Sequence, residues 1–312
     1  LGEKNFKQVS KTAMNGIFLA LLSYIAFVIV GIVGVGPFYA SQIKDADPEI
    51  YTMGVQYLTI VCVCSFGLYA QLVFEKLLQS TGKTLYSMIT QAVGAIINII
   101  LDPIMIFGLF GMPALGVAGA AIATVIGQIV GGTLGLYFNM RKNKEITLSL
   151  KGFRPDGYTI GNIYKVGVPS IIMQAIGSVM TYGMNMILIT FSATATAVFG
   201  VYFKLQSFFF MPVFGLNNGM IPIVAYNYGA GKRSRLIKAI KCSLVYAFVL
   251  LFAGFIVFET MPAALLGMFD ASEEMLAIGV PALRIICVHF LLAWFCIIAG
   301  SVFQALGNGV YS

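Results

Sequence analysis

Charge is what this sequence has least of. Asp, Glu, Lys and Arg make up 10% of its 312 residues, against about a quarter in soluble domains, which excludes a water-soluble globule. Histidine occurs once, at His289, and Cys62, Cys64, Cys242, Cys287 and Cys296 show no CxxC spacing. A zinc cluster and a disulfide framework are therefore excluded, and the cysteines read as small packing residues. "GAGK" at 229–232 lacks the GxxxxGK[ST] spacing of a phosphate loop, so ATP-driven work has no support. No nucleophile triad and no clustered Asp motif is visible, which leaves an intramembrane transferase without its chemistry. The chain reads as a non-enzyme that needs no cofactor.

Apolar residues fill the space instead: 59% of the chain is hydrophobic, with mean hydropathy +0.91. Residues 12–43, 50–74, 103–140, 166–203, 205–231 and 285–312 hold no Asp, Glu, Lys or Arg. A spanning helix needs roughly 20 apolar residues, whereas a β-barrel would show segments of about 10 with alternating polarity. That alternation is missing. The expectation is an all-α polytopic membrane protein with eight spanning helices. A first bundle (1–140) holds helices near 12–36, 50–75, 84–107 and 114–138. A linker follows at 141–160, then a second bundle (161–312) with helices near 162–190, 196–226, 236–262 and 275–305.

The net charge of +7 describes topology, not a nucleic-acid partner. Lys4, Lys7 and Lys11, then Lys76 and Lys83, then Arg141 to Lys165, then Lys232 to Lys241 cluster in alternate connections. The connections between them, "DADPE" (45–49), "FGMP" (110–113), "SATATA" (192–197) and "DASEE" (270–274), are acidic or uncharged, apart from Lys44 at the edge of the first. By the positive-inside rule the basic side is cytoplasmic, which expects a multi-pass protein of the cytoplasmic (inner) membrane.

The chain also repeats itself. "DADPEIYTMGVQYLTIVCV" (45–63) aligns with "DASEEMLAIGVPALRIICV" (270–288), and "LQSTGKTLYS" (78–87) with "FQALGNGVYS" (303–312), at one constant offset. The opening "LGEKNFKQVSKTAMNG" (1–16) aligns with "YGAGKRSRLIKAIKCS" (228–243) after a two-residue slip. These blocks indicate a duplication with both copies in the same orientation, a parallel repeat about the membrane normal. Matching the copies expects a window of a twelve-helix protein, holding its helices three to ten.

"NIILDPIMIFGLFGMPALGVAGAAIAT" (98–124), "MPVFGLNNGMIPIVAYNYGAGK" (211–232) and "FQALGNG" (303–309) resemble the multidrug and toxic-compound extrusion (MATE) transporters. The resemblance runs through essentially the whole chain. It implies two helical bundles around a central cavity, and a monomeric antiporter that exports cationic, amphipathic compounds in exchange for H⁺ or Na⁺. A flippase for lipid-linked oligosaccharides, from a related superfamily, is the alternative. It would want several cavity cations, and only Lys204 and Arg284 are offered.

Asp102 leads the candidate residues, because an ionised carboxylate in a spanning helix costs about 2.5–3.5 kcal/mol unless it faces a cavity or partner. Asn98 is four residues earlier, on the same helix face, and adds an amide oxygen suited to Na⁺ or to a protonated acid. The resemblance adds Thr124 and Tyr57 to this coupling site, and a further acid on a helix ahead of Leu1. For the substrate cavity, the soft Met-rich surface that includes Met173 suits flat cations, and it equally suits lipid contact. Gln174 holds the place where another branch of the family carries an acid. Lys204 and Arg284 read as semi-buried cations in uncharged runs. Glu75 with Lys76, and Glu259, read as interfacial, and His289 as a packing residue. Gly119, Ala123, Gly127, Gly131 and Gly135 form a stripe that lets two helices approach closely.

Overall fold

The computed structural model describes residues 1–42, 48–149 and 153–308. Lys44, Lys151, the first three residues of the first repeat block (45–47) and the last four of the second (309–312) lie outside the described residues. All elements among the described residues are helical. Contacts divide the chain near Ile160 and Gly161 into two compact units.

Unit 1 contains α1 (Phe6–Gln42), α2 (Pro48–Val63), α3 (Phe66–Ser80), α4 (Thr84–Phe107), a 3₁₀ turn (Leu109–Gly111) and α5 (Gly116–Lys142). Then come α6 (Gly157–Ile189), α7 (Ala193–Gly229), α8 (Arg233–Thr260), a short α9 (Pro262–Gly267), α10 (Glu273–Cys287) and α11 (Phe290–Ala305). Among the described residues, six helices are long and apolar enough to cross a bilayer. The number rises to eight if the bent pairs α2–α3 (46°) and α10–α11 (48°) each count as one span.

Two helix starts are set by caps, not by where the apolar run begins. The first helix, expected from residue 12, starts at Phe6 because Asn5 Oδ1 accepts from Gln8 N at 3.2 Å. Likewise α6 starts at Gly157 and not near 162: Asp156 accepts at Oδ2 from Thr159 N (2.9 Å) and from its hydroxyl. A side-chain acceptor at this position satisfies an otherwise orphaned helix N–H. Asp156 also pairs at Oδ1 with Lys11 (3.0 Å), and its own N–H donates to the buried Asn15 (3.0 Å), which fastens the end of the linker to α1. The Thr159 hydroxyl, Lys11 and the Thr159 N–H together pull the Asp156 carboxyl down to about 2.

The helices expected as single spans over 50–75 and 275–305 are bent pairs, broken at 64–65 and 288–289. Both breaks follow runs rich in β-branched residues, "TIVCV" and "RIICV", whose side chains crowd the preceding turn. There the backbone tightens to i→i−3 bonds, Ser65 N to Cys62 O (3.4 Å) and His289 N to Ile286 O (3.1 Å). A side chain then serves the loosened carbonyls. Ser65 Oγ donates to Cys62 O at 2.8 Å, and His289 Nδ1 stands 2.5 Å from Ile286 O.

The two bends fall at equivalent places in the repeat, and so do the turns. Gly82 and Gly307 are left-handed at φ 76° and 80°, and Lys4 and Gly231 at φ 59° and 66°. Lysine in that region costs on the order of 1 kcal/mol. The turn therefore has the same shape in both copies, with glycine in one and lysine in the other.

Candidate functional site

Unit 1 has few large buried side chains. Gly119 and Gly127 of α5 face α4, while Gly131 and Gly135 face α3. A Cβ on Gly127 would stand 2.7 Å from Gly94 O, and one on Gly135 2.9 Å from Phe74 Cβ. The backbones therefore nearly touch, and the polar side chains of α4 are held against α5 instead of being displaced by bulk.

Asp102 lies in this seam. Its helix runs through Pro103 to Phe107, as expected, where Gly108 caps it in the left-handed region at φ 72°. Pro103 has no N–H, so the Ile99 carbonyl loses its helical partner. Asn98 Nδ2 donates to Asp102 Oδ1 at 3.1 Å and lies 3.4 Å from Thr124 Oγ1, whose own proton goes to Ala120 O at 2.9 Å. The three side chains, all half-buried, leave the second Asp102 oxygen and the Asn98 carbonyl free of any hydrogen bond among the described residues. That is a hard-oxygen set with a single negative charge, which matches a proton or a monovalent cation better than a divalent one. Tyr57, on α2, is half-buried and makes no hydrogen bond to the cluster. α2 packs against α5.

The other candidates do not converge. Met173 and Gln174 are exposed on α6. Lys204 and Arg284 are exposed cations, not semi-buried ones. Lys204 Nζ stands 5.8 Å from the Phe269 ring centroid, and Arg284 Nε lies 4.0 Å from Glu259 Oε2, its side chain 53% exposed. The reason is tertiary: α8 carries Glu259 to α10, where it also accepts from Cys287 Sγ at 3.6 Å.

Glu75, expected at the interface, is instead 2% exposed in unit 1. Its Oε1 meets Gln71 Nε2 (2.8 Å) and Thr90 Oγ1 (3.2 Å), and its Oε2 accepts from Gln91 Nε2 (2.7 Å). The one available signal was the i, i+4 spacing of Gln71 and Glu75 beside two polar residues in the next helix.

The MatE family pattern matches residues 1–104 and 169–312. The multidrug export protein MepA of Staphylococcus haemolyticus (strain JCSC1435) is 28% identical over 269 residues, 86% of this chain and 58% of that protein. MepA of Staphylococcus aureus (strain MSSA476) is 26% identical over 271 residues, again 86% and 58%. The chain thus spans somewhat over half the length of these relatives. Among solved structures, a MOP superfamily transporter from Pyrococcus furiosus Vc1 (DSM3638) superposes with TM-score 0.90 at 23% identity, covering 99% of this chain and 68% of that one. An outward-facing multidrug resistance MATE family transporter of the MOP superfamily gives TM-score 0.90 at 22% identity, with the same coverage.

Proposed function

The chain belongs to the MatE family, and from that premise we propose that the protein is a secondary antiporter of the cytoplasmic membrane. It exports cationic, amphipathic small molecules in exchange for H⁺ or Na⁺, acts as a monomer, and keeps its basic connections in the cytoplasm. The observation that carries this reading is the Asn98–Asp102–Thr124 cluster, a lone carboxylate with unspent oxygens in a spanning seam. The multidrug export named for the MepA relatives supports the substrate class.

Mechanistically, the bound ion neutralises Asp102, and the conformation that tolerates a neutral site differs from the one that tolerates a charged one. An ion biases the equilibrium only through such differential affinity. Asn98 orients the carboxylate, and Thr124, its proton spent on Ala120 O, offers the cluster a lone pair and not a competing donor.

The test follows accumulation of a fluorescent lipophilic cation in cells expressing the whole protein, wild type against Asp102→Asn, with the proton and sodium gradients collapsed in turn. The reading expects low accumulation that requires Asp102 and one of the gradients. Wild-type export by a well-inserted Asp102→Asn protein would overturn it.

A further inference from the structure

Unit 1 contains a hollow that shares no residue with the coupling cluster. α1, α3 and α5 leave a cavity of about 210 Å³ between them, walled by Ile17, Leu21 and Tyr24, by Phe66 and Phe74, and by Leu136. Every lining side chain is aliphatic or aromatic. The Tyr24 hydroxyl is spent on Val63 O at 3.1 Å, and its ring meets Phe66 edge-on at 5.9 Å. An apolar cavity of about 150 Å³ already stays dry and takes up an apolar guest. Around this one Leu21, Leu22, Ile25, Phe27 and Phe66 are exposed, so in a bilayer the guest at hand is lipid.

Cations gather at one end of the cavity walls. α5 runs from Leu136 to Arg141 and Lys142, five and six residues on, a rise of about 8–9 Å. The linker then turns back onto α1: Ile146 is buried, and Thr147 N donates to Ser10 Oγ at 3.0 Å. That contact brings to the same end Lys144, three residues before Thr147, and Lys7, three residues before Ser10. Ile17 follows Ser10 by seven residues, about 10 Å along the helix. Arg141, Lys142, Lys144 and Lys7 are all exposed and meet no acid among the described residues. Glu145, the acid of this stretch, forms no ion pair there, and Lys11 is engaged with Asp156.

Depth and charge together select the guest. One leaflet of hydrocarbon is about 15 Å deep, so an apolar cavity that opens about 10 Å below a rim of cations lies where the chain of a lipid runs when its headgroup is at that rim. A lipophilic cation fits the walls but is repelled by the rim. A zwitterionic lipid fits the walls but brings no net charge to four free cations. An acidic phospholipid matches both ends, and each cation near the surface strengthens its binding about fivefold.

We propose that unit 1 binds an acidic phospholipid from the leaflet on its basic side, with one acyl chain in the α1–α3–α5 cavity and the phosphate among Lys7, Arg141, Lys142 and Lys144. The test places the full-length protein in phosphatidylcholine vesicles doped with phosphatidylglycerol that carries a photoreactive diazirine in one acyl chain. Cross-linked peptides are read by mass spectrometry. Labelling is expected to concentrate in residues 17–24 and 66–74, and to be several-fold weaker with a phosphatidylcholine probe of the same chain. Ala20→Phe puts a ring into the cavity and should abolish that labelling. Arg141→Gln, which serves if Ala20→Phe fails to fold, should lower it about fivefold at sub-saturating probe. Labelling spread evenly over the lipid-facing helices, equal labelling by the two probes, or labelling undiminished in both variants overturns the proposal. So does displacement of the probe by a lipophilic cation, which would make the cavity a site for exported compounds. The readout involves neither Asp102 nor export, so failure of the antiport reading would appear separately, in the accumulation assay.

Discussion

The two units share a bent helical pair and a turn at matching places in a duplicated sequence, yet they are packed by opposite means. Unit 1 is packed on glycine: α5 lies backbone against backbone on α3 and α4, and the room left at the seam is taken by Gln71, Glu75, Thr90, Asn98 and Asp102. In unit 2 the core is bulk, with Phe199, Phe210, Phe258, Phe290, Leu251 and Leu283 in one continuous cluster. Close helix approach leaves slots in which a polar side chain is hydrogen-bonded on several sides. Aromatic packing fills such slots, and a polar atom caught there has few partners. Asn217 Oδ1 on α7 is the buried side-chain atom without one among the described residues. The hydrogen-bonded polar clusters described above therefore lie in the unit with the smaller side chains.

Substitution at equivalent positions sharpens the contrast. Phe290, fully buried, packs edge-on against Phe210 and at a tilt against Phe258, at centroid distances of 5.1 and 5.2 Å. Its counterpart one repeat earlier is Ser65, whose hydroxyl holds Cys62 O. Phe290→Ala should cost about 3–5 kcal/mol and Ser65→Ala about 1 kcal/mol, read by unfolding in detergent. Equal costs would mean the two bends are held alike.

Glycine should be dear in unit 1 and cheaper in unit 2. A Cβ at Gly127 meets backbone, Gly94 O at 2.7 Å, while one at Gly254 meets the Phe209 ring at 2.8 Å, which can turn. Gly127→Ala is expected to cost about 2–3 kcal/mol, toward the upper end for overpacking, and Gly254→Ala about half of that. The same unfolding series checks it, and the reverse order would break the packing contrast.

The acids should separate as well. Glu259 and Arg284 are partly exposed and 4.0 Å apart, a pair worth about 0–1 kcal/mol. Glu259→Gln should move stability within that range and leave cation export unchanged, whereas Asp102→Asn abolishes export in the same cells. The smallest effect expected is at Asp156. Its carboxyl is held below its ordinary value of 3.8, at about 2, so its contribution is full above about pH 4 and is lost as pH falls through about 2. Asp156→Asn should slightly lower the melting temperature at neutral pH, flatten its fall between those values and change little below about pH 2.

How much of this could be read from sequence varies with the interaction. The Asn98–Asp102 contact was legible because i, i+4 spacing puts two side chains on one helix face whatever surrounds the helix. Thr124 needed the family resemblance, since only the crossing of α4 and α5 brings it near. Glu75 was misread because a charge beside Lys76 at the end of an apolar run looks interfacial, and nothing local shows that Thr90 and Gln91 arrive from the next helix. Lys204 and Arg284 were misread in the other direction: their runs are apolar, but Phe269 and Glu259 lie 65 and 25 residues away in sequence.

By itself the sequence determined that the chain lives in a bilayer as helices, that its connections alternate in charge and that it carries a parallel repeat. All of these follow from composition and period, which act along the chain. Only the tertiary structure decided where the helices bend, which acid is buried, and that Thr90 and Gln91 meet Glu75 while Thr124 meets Asn98. Those outcomes depend on how closely one backbone approaches another, and that distance is set by pairs of residues the sequence holds far apart.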